Sequence, residues 1–414
     1  GYCVSWASLL SVLSDFLIFL NIEMETMKER FAKLMLGEDM SGSGQGVCAA
    51  LAISNAITDL SGTVFGELWR LEPLDPRKKA MWRREMDWLL RVTDPIVELI
   101  PSLRELPGGA VCEVMVTRPR SDVYVNLPAL GKLDDMVLGM LEGFRDAEFW
   151  YIEWGVLLVG AGVDKSSSFG RPSFRQEEKW WLPCPKVPSD GLSEAARRRL
   201  QQSRDCANQI LKAAMAINSS VLAEMEIPDS YVENLPKSGK SCLGEGVYSS
   251  IAAKHFFPDC LLDNLDPSSE QSALAIANNL EAAMHVWRRK DQKRYQDNQK
   301  DNKSCAGKVK ALVKDSCRRQ YLVERAELLL QRLKLRYPGL PPTALGMIKT
   351  QNNKDVGRAI LEGYSRVIET VASRIMARID DVIYIDDAVK RCSAAVNNRS
   401  CGFRIPAWAF AVLI

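Results

Sequence analysis

A chain of 414 residues, 47% hydrophobic and 26% charged, has room for a large core, or for two to three cores at about 150 residues each, and excludes disorder throughout. Its 54 basic and 52 acidic residues leave a formal charge of +2, so no overall field draws it to nucleic acid and any charge-driven contact is local. Eleven cysteines scattered from Cys3 to Cys401 form no CxxC pair, and the two histidines, His255 and His285, have no metal-ligand neighbours; this excludes a zinc framework and predicts reduced thiols, mostly small buried hydrophobes of a cytosolic protein.

Residues 7–22, ASLLSVLSDFLIFLNI, are apolar but carry Asp15, lack a basic flank and fall short of the ~20 residues of a spanning helix. A short amphipathic or buried helix is the reading there. The chain opens on Gly1, which is compatible with a fragment of a longer protein. From Glu23 to Leu36, Met24, Met27, Phe31, Leu34 and Met35 recur at helical spacing before Gly37, an amphipathic helix with a glycine stop. Its apolar surface is more than a lone helix can hide, which predicts a homodimer through this region.

Ser54–Leu71 and Arg77–Leu106 read as helices, with Trp82 and Trp88 as core residues. Glu113–Val116 and Val123–Val125, joined by TRPRSD, alternate like a β-hairpin. Helical periodicity returns over Leu133–Phe149, over Leu192–Glu226 with Ser193 as N-cap, and over Ser272–Arg289, Lys308–Tyr337 and Asn353–Tyr384. The charged stretch 288–310 reads as a frayed helix end or mobile loop. The fold class is mostly α, a multi-helix domain with a small projecting β-hairpin.

Three motifs invite chemistry and yield plainer readings. GSGQG at 42–46 follows a helix rather than a strand, so a flexible turn fits better than a phosphate loop. SGKS at 238–241 ends like a Walker A loop, but Asn234 stands where its first glycine belongs and Pro236 lies inside it. RIDDVIYIDDAV clusters Asp380, Asp381, Asp386 and Asp387 among Arg374, Arg378, Lys390 and Arg391, a salt-laced surface helix rather than a metal site. With two histidines and no nucleophile motif, no covalent chemistry is expected, and neither is a cofactor or a metal.

The segment Glu178–Pro188, EKWWLPCPKVP, sets Trp180 and Trp181 side by side before three prolines. Adjacent residues of a regular element point to different faces, and the prolines favour a stiff extended loop. Two readings stand: one indole seals a core while the other lies on the surface, or the loop presents rigid aromatic anchors to a partner.

These blocks, with KERFAKLMLGEDMSGSGQGVCAALAISNAITDLSGTVFGELWRLEPL, KKAMWRREMDWLL, GGAVCEVMVTRPRSDVYVNLPAL, YPGLPPTALGMIKTQNNKDVGRAILEGYSRV and MARIDDVIYIDD in order, resemble the PRONE domain of plant Rho-of-plants (Rop) guanine nucleotide exchange factors. The resemblance divides the chain into residues 1–22, unmatched, a PRONE domain over 23–391, and an unmatched tail over 392–414. It implies acceleration of GDP release on a plant Rho-type GTPase by a double-tryptophan loop near the switch regions, with Trp180, Trp181, Glu178, Leu182 and Pro183 as the catalytic set. It further implies GTPase contacts from Glu113, Arg118, Arg120 and Asp122 around the family's β-arm, and dimer contacts from Phe31 and Leu34. The implied setting is cytoplasmic and peripheral at the plasma membrane, with receptor-like kinases as further partners. A non-catalytic helical scaffold binding Rop GTPases or receptor-like kinases is the alternative. Residues 151–174 depart from the family pattern, and the tail that carries autoinhibition in the family is not evident.

Overall fold

The computed structural model describes residues 48–66, 68–105, 111–152, 183–265, 269–300, 306–337 and 339–397. Among them are eleven helices and two small sheets: α1 (Ala49–Phe65), α2 (Pro76–Arg91), β1 (Val97–Glu105), β2 (Val111–Pro119), α3 (Ser121–Glu142), β3 (Trp150–Ile152), β4 (Cys184–Lys186), α4 (Glu194–Glu224), α5 (Asp229–Glu233), α6 (Gly239–Ala252), α7 (Pro258–Leu265), α8 (Glu270–Lys300), α9 (Ala306–Arg336), α10 (Ala344–Asn352) and α11 (Val356–Asn397). The mostly helical expectation is met.

The axis of the larger core is α11, which packs on α4, α1 and α3. Ile360, Leu361, Tyr364, Val367, Ile368, Val371, Ala372, Ile375, Ile379 and Val382 are all buried along it. Apolar residues on nearly every face make this an interior helix rather than a surface one. Where α1 crosses it, Gly363 leaves 3.4 Å between a would-be Cβ and Ser54 Oγ, so the two backbones approach closely.

A second core joins α6, α7, α8 and α9. Ala273, Ala277, Leu280, Ala283, Met284 and Trp287 of α8 face Leu322, Ala326, Leu329 and Leu333 of α9, a three-and-four spacing whose alanines let the helix pair close. Helix α10 ties the cores together. Its N-cap Thr343 donates to Glu281 Oε2 at 2.5 Å, its first amide, Ala344 N, donates to Asn278 Oδ1 at 2.8 Å, and buried Lys349 donates to the Leu222 carbonyl of α4 at 2.5 Å.

Several sequence expectations need correction. The hairpin exists, but β2 pairs with the preceding strand, Val97 opposite Pro119 through Glu105 opposite Val111, and Val123–Val125 open α3. The helix expected to run to Leu106 ends at Arg91, and the one expected to run to Leu71 ends at Phe65. Trp82 is fully buried, whereas Trp88 is 49% exposed. Of the seven cysteines whose side chains are described, all free, only Cys242 is buried. The charged stretch stays helical to Lys300 and resumes helix at Ala306. The GSGQG turn and the helix carrying Phe31 and Leu34 lie outside the described residues.

The aspartates of the RIDDVIYIDDAV stretch are paired, but not on the surface helix expected: Asp380 and Asp387 reach Arg204 and Arg197 of α4, while Asp381 pairs with Arg378 of its own helix. Asp386 differs in being fully buried. It accepts from Leu192 N at 2.6 Å and pairs with Arg197 and Lys390 at 2.5 and 3.1 Å. In SGKS, Ser238 is an N-cap accepting from Ser241 N at 3.2 Å, and Lys240 pairs with Glu245.

Candidate functional site

Glu178, Trp180, Trp181 and Leu182 lie outside the described residues, but both ends of the segment that carries them are fixed. Strands β3 and β4 pair antiparallel, Trp150 opposite Lys186 and Ile152 opposite Cys184, so the chain leaves and re-enters the fold at one place. Pro183, Pro185 and Val187 are buried, and β4 rests on α11. On β3, the Tyr151 hydroxyl accepts from Leu71 N at 3.1 Å, and its ring meets Phe149 edge-on at 6.0 Å. Burial pushes that phenol well above its ordinary pKa, so it stays a neutral anchor.

The turn after β4 is equally constrained. Gly191 has φ +82°, and a Cβ there would stand 2.6 Å from Lys390 Cε and 2.7 Å from Asp386 Oδ1, so only glycine fits. Ser193 then caps α4: its hydroxyl accepts from Ala196 N at 3.1 Å and donates to Glu148 Oε1 at 2.7 Å, while Ser193 N donates to Glu148 Oε2 at 2.9 Å. The Ser193 hydroxyl and amide hold the Glu148 carboxyl below its usual range. An open groove of about 400 Å³ between α3 and α4, lined by Met136, Met140, Phe144, Phe149 and Leu200, borders this base.

The second feature is the β1–β2 ribbon, nine residues a strand and so about 30 Å long. It packs chiefly on itself. One face sets Val97, Leu99 and Leu103 beside Val111 and Met115, all exposed, Leu103 at 74%. Glu113 lies on that face opposite Leu103, while Arg118 lies on the other, pairing with Glu98 at 2.5 Å. A two-stranded ribbon with uncovered apolar faces is marginal alone and gains from a partner.

Arg120 and Asp122 stand at the ribbon's root, joined to each other, so the four residues expected on one surface are split between ribbon and root. Arg120 Nε and Nη2 donate to the two Asp122 oxygens at 2.7 and 2.9 Å, and Nη1 donates to Asp355 Oδ2 at 2.7 Å. Sequence reasoning missed Asp355, which lies 235 positions away in the chain, and missed β1 with its exposed leucines. Pro101 and the helical spacing of Ile96, Ile100 and Leu103 hid that strand.

His285 Nε2 is buried with no hydrogen-bond partner among the described residues, and burial, with Arg289, Lys349 and Arg288 nearby, lowers its pKa. No group of three or more potential metal-ligating side chains occurs among the described residues, and no described helix is long and apolar enough to cross a membrane. Among the described residues, a paired β3–β4 base and an exposed apolar ribbon stand on a helical body, the ribbon being the kind of uncovered surface that a protein partner covers.

The chain belongs to the PRONE family, described as the plant-specific Rop nucleotide exchanger, whose model matches residues 22–391. It is 63% identical over 379 residues to Rop guanine nucleotide exchange factor 1 of Arabidopsis thaliana, covering 91% of this chain and 69% of that protein. It is 54% identical over 373 residues to exchange factor 5, covering 89% and 61%, and 52% identical over 370 residues to exchange factor 3, covering 89% and 78%, both of the same plant. The chain thus spans about three-fifths to four-fifths of the length of these relatives.

Proposed function

We propose that this chain is a guanine nucleotide exchange factor that accelerates GDP release, and so GDP/GTP exchange, on plant Rho-type (Rop) small GTPases. The observation that carries the reading is the PRONE match over residues 22–391. A GTPase holds its nucleotide through P-loop amides, a lysine and Mg²⁺ bridging the phosphates. An exchange factor needs no nucleophile: it binds the nucleotide-free state more tightly than the loaded one, and linkage makes the nucleotide weaken in the same ratio.

Trp180 and Trp181, with Glu178 and Leu182, are the proposed insertion beside the switch regions, and Pro183 of the proposed catalytic set is buried at its base. Two rigid indoles lose little entropy on docking and disturb Mg²⁺ coordination while burying area in the empty intermediate. The fixed β3–β4 base supports this reading, because an insertion exerts a displacement only when its base does not yield. Glu113 and Arg118 on the ribbon are the proposed GTPase contacts, and Arg120 and Asp122, bonded to each other at its root, support them from behind. Phe31 and Leu34 make the homodimer contact, and the setting is cytoplasmic, at the periphery of the plasma membrane, with receptor-like kinases upstream.

Release of fluorescent GDP from a Rop GTPase, with and without catalytic amounts of the chain, tests the proposal. Acceleration is expected; binding without acceleration would make the chain a scaffold of the same fold instead.

A further inference from the structure

The ribbon's direction is set at one place. Strand β2 ends at Pro119, and the next residue, Arg120, donates its backbone N–H to Ile96 O at 3.3 Å, just before β1. Its side chain spends three N–H groups on two carboxylates, one two positions away and one 235 positions away in the chain. Each carboxylate also opens a helix: Asp122 Oδ1 accepts from Val123 N at 2.8 Å in α3, and Asp355 Oδ1 accepts from Arg358 N at 3.0 Å in α11. Negative charge is favourable at both helix N-termini, so the carboxylates are held before the guanidinium arrives.

The first turn of α11 is shaped around this guanidinium. A Cβ on Gly357 would stand 2.5 Å from Arg120 Nη2 and 3.1 Å from Val123 Cγ2. Burial disfavours the Arg120 charge, but Asp122 and Asp355 outweigh it and raise its pKa. Arg358 continues the node, 3.8 Å from Asp355 and 3.3 Å from Glu224 of α4. The turn before α11 also meets the start of α1, where Cys48 Sγ donates to Asn353 O at 3.3 Å.

From this geometry we infer that Arg120 is a positioning residue: it clamps the root of the β1–β2 ribbon to the N-terminus of α11 and so fixes the direction in which the ribbon meets a docked GTPase. A planar fork holding two separated carboxylates resists rotation about either one, which lysine in its place does not. The inference rests on the exchange-factor reading, although the clamp itself is measurable without a GTPase.

Amide hydrogen exchange on the full chain, alone, is the first arm. In Arg120→Ala, the amides of residues 97–99, 117, 118 and 120 exchange about tenfold faster, a loss of ~1.4 kcal/mol of local protection, while those of α4 and the middle of α11 keep their rates. Asp355→Asn, which preserves shape and the Asp122 pair, and Gly357→Ala, which displaces the guanidinium, shift the same amides if Arg120→Ala does not fold. Unchanged root protection in these variants overturns the clamp, whatever the chain's activity.

The second arm measures initial GDP-release rates against GTPase concentration. Loss of positioning raises KM about tenfold and leaves kcat within about twofold, whereas general damage to the fold lowers kcat. In a chain whose ribbon is shortened, residues 100–116 replaced by Asn-Gly, Arg120→Ala adds less than about twofold if it acts through the ribbon. An equal cost in both backgrounds overturns the positioning role. A wild-type chain that fails to accelerate release sinks the exchange-factor reading, and the hydrogen-exchange arm still decides the clamp.

Discussion

Trp82 and Asp134 meet across the seam between α2 and α3: the indole Nε1 donates to both carboxylate oxygens, at 3.0 and 2.9 Å. The Tyr364 hydroxyl of α11 donates to the same carboxylate at 3.0 Å, so one half-buried aspartate joins three helices. Burial raises its pKa, opposed by the two donors. Replacing Asp134 by alanine strands an indole N–H and a phenol O–H in the core. The expected loss is about 2–4 kcal/mol in urea denaturation, against about 1–2 for Trp82→Phe, which keeps most of the ring volume. A loss below ~0.5 kcal/mol for Asp134→Ala would remove the carboxylate from the account of the core.

Glu369 makes stability depend on pH. Its Oε1 is buried with no hydrogen-bond partner among the described residues, and burial, with Glu362 adding and Lys334 and Arg366 opposing, pushes its pKa from 4.5 up to about 7. Between those values the folded chain binds the proton that the unfolded chain has released. Stability from this group is therefore present at low pH and lost as pH rises from about 4.5 to about 7. Glu369→Gln is expected to be more stable than wild type by on the order of 1–3 kcal/mol at pH 8, with the gap closing toward pH 5. Parallel melting curves at both pH values check this, and a constant gap would refute it.

Gly239, inside the SGKS motif, is a packing glycine. A Cβ there would lie 2.4 Å from Trp287 Cε2 and Nε1, and Trp287 is buried in the second core. Gly239→Ala is expected to cost about 1–3 kcal/mol through overpacking. Calorimetry of the variant measures the cost, and a neutral substitution would show that the indole has room to move.

The long helices were legible because each carries its own period: Ser193 reads as an N-cap and is one, and α11 shows its apolar positions in an unbroken run. The ribbon was half legible. The apolar alternation of β2 is plain, but β1 contains Pro101 and a helical-looking spacing, and only pairing across the turn made it a strand. Valines at 123 and 125 mimic a strand because β-branched residues carry a strand preference that the packing of α3 overrides. Trp88 misled since Met81, Glu85 and Val92 continue its helical spacing although only part of that face is covered. For the site, the aromatic pair announces itself by composition, whereas Arg120 needs Asp355, and contacts across 235 positions leave no mark in a single sequence.

The proposed dimer has its own test. Phe31→Asp with Leu34→Asp places two charges on the apolar stripe of 23–36, where burying them would cost several kcal/mol. Light scattering at micromolar concentration is expected to give a dimer for the wild type and a monomer for the variant. A monomeric wild type would move that stripe into the fold of a single chain.

Trp180→Ala with Trp181→Ala tests the proposed insertion itself. Interface tryptophans are often worth ~2 kcal/mol or more each, and every 1.4 kcal/mol is about tenfold in rate, so GDP release is expected to fall by roughly a hundredfold or more. The base of the segment rests on Pro183, Pro185, Val187 and the Asp386 node, none of which the variant touches. Stability should then change by less than about 1 kcal/mol, against ~3–5 for a buried tryptophan cut to alanine. Exchange assays and urea denaturation on the same preparation separate the outcomes. Loss of exchange with the fold intact supports insertion; unfolding would make the indoles core residues, and full exchange activity in a folded variant would place the displacement of the switch regions elsewhere, with the exposed ribbon of Leu99, Leu103 and Met115 the next surface to truncate.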